Sequence, residues 1–455
     1  MKIVLCNPEV GQAYSHSRKG MYPPIGMMSL ATRLEMDYPD DVEVKIIDED
    51  VDPISIDEFN NADFVGFHTN TMNYENCLRF AKEAKKRGAR VILGGPHSTV
   101  LWKNIMQNRD YIDFIIINEA EIPISQLVGR YLGKNNILLN EIPNLVYRNE
   151  GSNGFEVSYK SYVNKAEDMI IPSRKYIESE KYISNSRKIY KEGETPFRRP
   201  FSIYSSKGCT WRDRSGGCVF CARLEKGVRF RNINDIWQEV QMLRKDYNAD
   251  NIWDISDDNL NNEKWFIDLV DSKPRDLGDL TFFIYSRVNL INDRIIEYMK
   301  KLNVLEVYLG FETGDDRMLK KALKGSSAKV GLMAAKKLKE SNIRYFPSFV
   351  LGLPEEDETS LKNTYEYVQE IYNIGGIYRL AASILMPIPG SKVFDTLLED
   401  REGQEFLEGS DIIDIKKLEK LWVKNYTNVD YETLQEYQKK ILEIGQTKTF
   451  GVRVD

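Results

Sequence analysis

Short apolar segments alternate with amphipathic helical ones along most of this 455-residue chain, in two separate series. In the first series Lys2–Cys6, Val42–Ile47, Phe64–Phe67, Val91–Leu93 and Phe114–Ile117 read as strands, and Met27–Leu34 and Asn76–Arg87 as helices. Strands this short and this uniformly apolar are buried on both faces, which requires a parallel sheet covered by helices on each side. Ligands of such sheets sit beyond the carboxyl ends of the strands. The polar and glycine-rich turns fall there, at Asn7–Gly11, His68–Asn73, Gly94–Thr99 and Asn118–Glu121. The second series begins near Phe201. Its strands are expected at Phe201–Ser205, Asn251–Ile255, Thr281–Tyr285, Leu305–Leu309, Arg344–Val350 and Leu380–Leu385, with helices between them such as Asn234–Tyr247 and Asp293–Leu302. Consecutive strand–helix units of this kind predict a barrel or partial barrel with its site at the carboxyl ends of the strands.

The remaining segments set the expected boundaries. Residues 1–140 form the first α/β domain and 199–395 the barrel. Residues 141–198 are charged, tyrosine-rich and weakly periodic, a linker with one hairpin around Leu145–Val157. Residues 396–455 are helical in pattern and are expected to cover the barrel. The net charge of −6 offers no basic stripe for a nucleic acid. No apolar run approaches the roughly 20 residues of a membrane helix. The apolar part of the N-terminus is too short for a signal peptide and reads as a first strand. Five cysteines, three of them clustered, do not make a disulfide framework; metal-binding thiols in a reducing cytoplasm fit them better.

The clustered cysteines are Cys209, Cys218 and Cys221, in a loop that follows the first barrel strand. A closed structural zinc or an electron-transfer cluster takes four protein ligands. Three thiolates leave one coordination position open, where chemistry happens. The alternative is a zinc loop completed by Cys6, Cys77 or a histidine. The chain's three histidines, His16, His68 and His97, all lie in the first domain, which weakens that alternative.

From this loop onward the chain resembles the radical S-adenosylmethionine (SAM) enzymes, which hold a [4Fe–4S] cluster with three cysteines at the end of the first strand of a partial barrel. The family spacing is Cys-x3-Cys-x2-Cys. Here Cys218-Val-Phe-Cys221 keeps its second half, but Thr210–Gly217 separates Cys209 from Cys218. Five later segments match the family pattern in order: Ile255-Ser-Asp-Asp-Asn-Leu260, Tyr285-Ser-Arg-Val-Asn289, Tyr308-Leu-Gly-Phe-Glu-Thr-Gly314, Phe349-Val-Leu-Gly-Leu-Pro-Glu355 and Met386-Pro-Ile-Pro-Gly390. The resemblance implies that SAM chelates the open iron through its amino and carboxylate groups. Asp257 or Asp258 would then accept from the ammonium, Arg287 or Ser286 would donate to the carboxylate, Glu312 would suit the ribose hydroxyls, and Phe220 would pack near the adenine. Plainer roles compete: a solvated turn for the aspartates, an ion pair for Glu312 and Arg287, and core packing for Phe220.

The first domain resembles the cobalamin-binding domain that precedes the barrel in many of these enzymes. The matching residues are Asn7-Pro8, Tyr22-Pro-Pro-Ile-Gly26, Asp48, Val65-Gly66, Gly94-Gly95-Pro-His97 and Asn118-Glu-Ala-Glu121. The resemblance implies corrin contacts from Pro24, His68, Thr69, Asn70, Thr71, Gly94, Gly95, Ser98 and Glu119. Other cobalamin proteins carry an Asp-x-His-x-x-Gly turn whose histidine binds cobalt. Here that turn is Asn7-Pro-Glu-Val-Gly11, so it supplies no lower ligand; His68 and His97, in neighbouring loops, are placed to reach the corrin. A flavodoxin-like scaffold without cofactor is the alternative.

The expected fold is therefore α/β: a doubly wound cobalamin-binding domain, a partial (β/α)6 radical SAM barrel and a helical C-terminal segment. The implied function is cleavage of SAM to a 5′-deoxyadenosyl radical, with methyl transfer through cobalamin to an unactivated carbon. Rearrangement, cyclisation or oxidation without methyl transfer is the first alternative, and a metal-stabilised binding protein without catalysis the second. The implied partners are a small-molecule or peptide substrate and an external electron donor of flavodoxin or ferredoxin type, with no nucleic acid and no membrane.

Overall fold

The computed structural model describes all residues except 12–13, 17–18, 150–153, 190–196, 378, 446–451 and 455. In the first domain β1 (Lys2–Asn7), β2 (Glu43–Asp48), β3 (Phe64–His68), β4 (Arg90–Gly94) and β5 (Phe114–Ile116) pair in parallel in the order β2-β1-β3-β4-β5. Ile3, Val4, Leu5 and Cys6 are all buried, as a strand covered on both faces requires. The helices Ile25–Asp37, Tyr74–Lys86, Pro96–Asn108 and Glu121–Tyr131 lie between the strands in sequence. The chain runs from β1 to β2 on one side and returns to β3 on the other. The carboxyl ends of β1 and β3 thus flank the topological switch point, where ligands of such sheets bind.

The hairpin expected around Leu145–Val157 is present as β6 (Leu145–Arg148) and β7 (Phe155–Val157); residues 150–153 of its turn lie outside the described residues. It extends the edge of the first sheet, with β6 antiparallel to β5. The same 141–198 stretch also holds a helix, Ser179–Ile189.

All six expected barrel strands form: β8 (Pro200–Ile203), β9 (Asn251–Asp254), β10 (Thr281–Arg287), β11 (Val304–Glu312), β12 (Arg344–Leu351) and β13 (Ala381–Ile384). They pair in parallel in sequence order, and β8 and β13 do not meet, so the sheet is a curled half-barrel open along one side. The helices Lys392–Glu399, Arg401–Leu407, Ile415–Tyr426 and Tyr431–Ile444 follow. The last packs on the barrel edge, where Gln438 Nε2 donates to Ala382 O at 2.9 Å. Trp422 Nε1 donates to Gly352 O at 2.7 Å and ties the preceding helix to the end of β12.

Candidate active site

The gap between Cys209 and Cys218 is not an open loop. Thr210–Ser215 forms a short helix that starts directly after Cys209. Gly216 and Gly217, at φ +78° and +82°, end it in the left-handed region and turn the chain back into Cys218. Asn261 fixes its start by accepting from Thr210 N at 2.8 Å and donating to Gly208 O at 2.9 Å. Lys392 Nζ donates to Gly217 O at its end. The insertion thus folds onto itself and leaves its two ends, with their cysteines, anchored to the barrel.

Its side chains take three different places. Trp211 Nε1 donates to Leu323 O at 2.7 Å, and its ring lies 4.5 Å from the Arg287 guanidinium. A Cβ on Gly325 would come within 2.2 Å of that ring, so glycine is required there. Arg212 donates to Glu225 O and approaches Asp257 at 3.5 Å. Arg214 is exposed.

Cys218 shares its surroundings with Cys221, Lys324, Glu312 and Arg287. Burial pushes its thiol up to about 11, against the pull of the Lys324 ammonium. All three loop cysteines are free of disulfides and partly accessible. Cys6 and Cys77 are instead fully buried in the first domain's core, where Cys77 Sγ donates to His68 O. Among the described residues no three His, Cys, Asp or Glu side chains converge to hold a single ion.

Around the cysteines the structure separates the two candidate aspartates. Asp257 is engaged, by Arg212 and by Arg223 Nε at 3.3 Å. Asp258, 1% exposed, accepts from Leu260 N and Ser286 Oγ through Oδ1 alone. Its Oδ2 is buried without a hydrogen-bond partner. Burial pushes this carboxyl up to about 6. Arg287 donates from Nη2 to Lys324 O, while its buried Nε has no partner. One acceptor and one donor therefore stand unsatisfied at the carboxyl ends of β9 and β10, as the two ends of an amino acid ligand require.

Glu312 is bound by Lys324, a residue that sequence reasoning missed. The pair is almost wholly buried. A Cβ on Gly310 would collide with both partners, at 2.3 Å and 2.6 Å. Glu312 itself sits at φ +66°, after a bulge between Gly310 and Glu312 in β11. A non-glycine residue held in that region stores strain of the kind found at functional sites. Only the Leu-Lys-Gly turn signalled Lys324, and an exposed lysine would have read the same.

A cavity of about 740 Å³ opens at the carboxyl ends of the first sheet and continues to the cysteine loop. It is within the roughly 300–1,000 Å³ typical of small-molecule and cofactor sites. Its wall includes His68, Asn70, Thr71, Gly94, Gly95 and Glu119 from the first domain, and Phe220 to Glu225 from the barrel. Pro24, Thr69 and Ser98 stand behind it. Pro24 begins the first helix, whose Gly26, Met27 and Leu30 reach the wall. Thr69 Oγ1 bonds Ser98 Oγ, accepts from Ser98 N and donates to Gly94 O, clipping two turns together. Side chains at Gly26 or Gly94 would meet nothing closer than 3.8 Å, so these glycines leave open space for a flat group. Glu119 pairs with Arg229 and approaches Lys207 at 4.0 Å, joining the two domains at the rim.

The two loop histidines differ. His97 Nε2 bonds Asp411 O at 2.9 Å, its Nδ1 meets Thr71 Oγ1 at 3.2 Å, and its ring stacks on Tyr74 at 4.0 Å. Burial holds it neutral, pushed down to about 4. It is a structural bond between domains and not free for a cobalt. The His68 side chain lines the cavity and is exposed to it, while the surrounding protein lowers its pKa.

Comparison with known proteins agrees with both halves. Residues 11–128 match the B12 binding domain model and residues 203–368 the radical SAM superfamily model. The chain is 26% identical over 406 residues to an uncharacterised methyltransferase of Pyrococcus horikoshii, covering 87% of this chain and 83% of that one. It is 22% identical to the bacteriochlorophyllide d C-12(1)-methyltransferase of Chlorobaculum tepidum, over 82% of this chain and 73% of the relative. Among solved structures it superposes on the radical SAM methyltransferase TsrM of Kitasatospora setae, with cobalamin and a [4Fe–4S] cluster bound. The TM-score is 0.68 at 14% identity, covering 87% of this chain and 78% of that one. The cobalamin-dependent radical enzyme OxsB gives 0.64 at 14% identity; 93% of this chain covers 56% of that protein, little more than half its length. With both domain models matched and a cavity that fits, the chain is a radical SAM enzyme with a B12-binding domain ahead of its barrel, and its cofactors are SAM, a [4Fe–4S] cluster and cobalamin.

Proposed function

We propose that this enzyme transfers a methyl group to an unactivated carbon of a small-molecule or peptide substrate. One observation carries the reading: a single cavity is walled by the carboxyl ends of the B12-binding sheet and by the cysteine loop of the barrel. A methyl carrier and a radical generator must face a common substrate, and a shared cavity provides that space. When bound, the cluster and SAM supply a 5′-deoxyadenosyl radical and the corrin supplies a methyl carrier.

The chain's own residues bind and shield. Cys209, Cys218 and Cys221 hold the cluster by three corners. The open Oδ2 of Asp258 accepts from the SAM amino group, and Arg287 Nε donates to its carboxylate. Ser286 orients Asp258, and Asp257 is left to hold Arg212 and Arg223. Phe220, on the cavity wall, packs against the adenine. Glu312 meets the ribose with Lys324 at its back. The half-barrel and the helices that follow it exclude water from the radical. No described helix is long and apolar enough to cross a membrane. We place the enzyme in the cytoplasm with a flavodoxin- or ferredoxin-type donor for the single electron.

A second reading keeps the radical and drops the methyl transfer. It is favoured by 23% identity over 307 residues to the anaerobic magnesium-protoporphyrin IX monomethyl ester cyclase of Rubrivivax gelatinosus, covering 65% of this chain and 51% of the relative. Anaerobic reconstitution with iron, sulfide and cobalamin, followed by turnover with SAM and a reductant, separates the two. Methyl transfer yields both 5′-deoxyadenosine and S-adenosylhomocysteine. Deoxyadenosine alone, with no S-adenosylhomocysteine, leaves only the second reading.

A further inference from the structure

We propose that His68 is the protein ligand to the lower face of the corrin cobalt, a role this chain's first turn has given up. The inference rests on the cobalamin assignment and goes beyond it by naming the axial residue. The turn Asn7-Pro-Glu-Val-Gly11 has no histidine, so a histidine ligand, if one is used, comes from elsewhere in the chain. His68 ends β3, beside the switch point of the sheet, and its ring lines the cavity. Among the described residues the imidazole makes no hydrogen bond to protein; only its backbone carbonyl is used, by Asn73 Nδ2 and Cys77 Sγ. Both nitrogens of His97, at the neighbouring strand end in the same cavity wall, are by contrast occupied.

The turn after β4 leaves room for the ring. A Cβ on Gly95 would come within 3.1 Å of His68 Cδ2 and within 2.5 Å of Thr69 O, so the absence of a side chain there lets the imidazole rest against the β4 turn. Gly95 has φ +104°, a conformation that side chains disfavour. An imidazole with an available lone pair, exposed on one wall of a largely apolar cavity, is a donor that suits a first-row transition metal. With His68 below the corrin, the other face is left to the wall built by Phe220 to Glu225, on the side of the cluster.

Electron paramagnetic resonance of the full-length holoprotein in the cob(II)alamin state tests this. A single axial nitrogen splits the cobalt lines into triplets. In protein grown on ¹⁵N-histidine with unlabelled cobalamin, the triplets are expected to become doublets, which separates a histidine from the cofactor's own base. His68→Ala, with its corrin content read by absorption, is expected to keep cobalamin and lose the nitrogen splitting. A wild-type spectrum without nitrogen splitting, or splitting insensitive to the label, overturns the assignment, as does splitting retained in His68→Ala. Where the variant does not fold, the labelling result decides alone. Protein that binds no corrin in the absorption spectrum overturns the cobalamin assignment itself, and the inference with it.

Discussion

At the scale of single residues, the sharpest statement concerns Asp258. Its carboxyl, raised from 3.8 to about 6 by burial, is costly to ionise in the apoprotein. A raised acid binds its proton more tightly in the folded state, so this residue's contribution to stability falls as pH rises from about 4 through 6. At neutral pH the cost is on the order of 3 kcal/mol, at about 1.4 kcal/mol per unit. Asp258→Asn is therefore expected to raise the melting temperature of the apoprotein at pH 7. It is also expected to weaken SAM binding by about 10–100-fold, the value of a hydrogen bond to a charged partner. In the wild type SAM binding strengthens as pH rises through about 6. Calorimetry with SAM across that range checks both, and an apoprotein destabilised by the change would assign the residue a structural role. The sequence pointed to an aspartate pair without distinguishing its members. Adjacent residues have opposite fates here because Arg212 and Arg223, from a distant loop, claim only Asp257.

At the scale of elements, the cysteine loop departs from its family's spacing, and its fold explains how. The insertion is a helix of six residues closed by two left-handed glycines, not a spacer. Its anchors are Asn261 at the start, Leu323 and Glu225 through Trp211 and Arg212, and Lys392 at the end. Groups that orient metal ligands typically carry about 10–100-fold of the affinity. Replacing Thr210–Gly217 by Gly-Ser-Gly is expected to lower the iron retained after reconstitution and desalting by about tenfold. Full iron and unchanged absorption in that variant would show the helix to be dispensable. The helix was hidden in the sequence because six residues carry too little periodicity to read, and its ends are held by Asn261 after β9, Leu323 after β11 and Lys392 beyond the barrel.

At the scale of the whole molecule, the C-terminal segment is bonded back to the first domain. Asp411 takes both Arg109 nitrogens at 2.8 Å and 2.9 Å and the Tyr74 hydroxyl at 2.5 Å, while its carbonyl receives His97. Burial would raise this carboxyl, but Arg109 and Tyr74 outweigh it and hold it below its usual value. A depressed acid stabilises the fold above its unfolded pKa and loses that contribution as pH falls through the folded one. Asp411→Ala is expected to cost about 2–3 kcal/mol at pH 7, since it strands a half-buried arginine, and to cost less in acid. Urea unfolding at the two pH values measures it. An equal loss at both would show that the ion pair contributes nothing. Because Asp411 also holds His97, which lines the cavity, the same variant is expected to loosen corrin binding.

The sequence by itself determined the two α/β series, all six barrel strands and the three cysteines, because buried parallel strands and clustered thiols leave local patterns that need no partner to be read. It could not determine which groups around those thiols are free. The isolation of Asp258, the pairing of Glu312 with Lys324, the occupation of His97 and the openness of His68 all depend on residues tens to hundreds of positions away. Tertiary structure alone decided these, since whether a polar group is satisfied or left to meet a ligand depends on what the fold packs beside it.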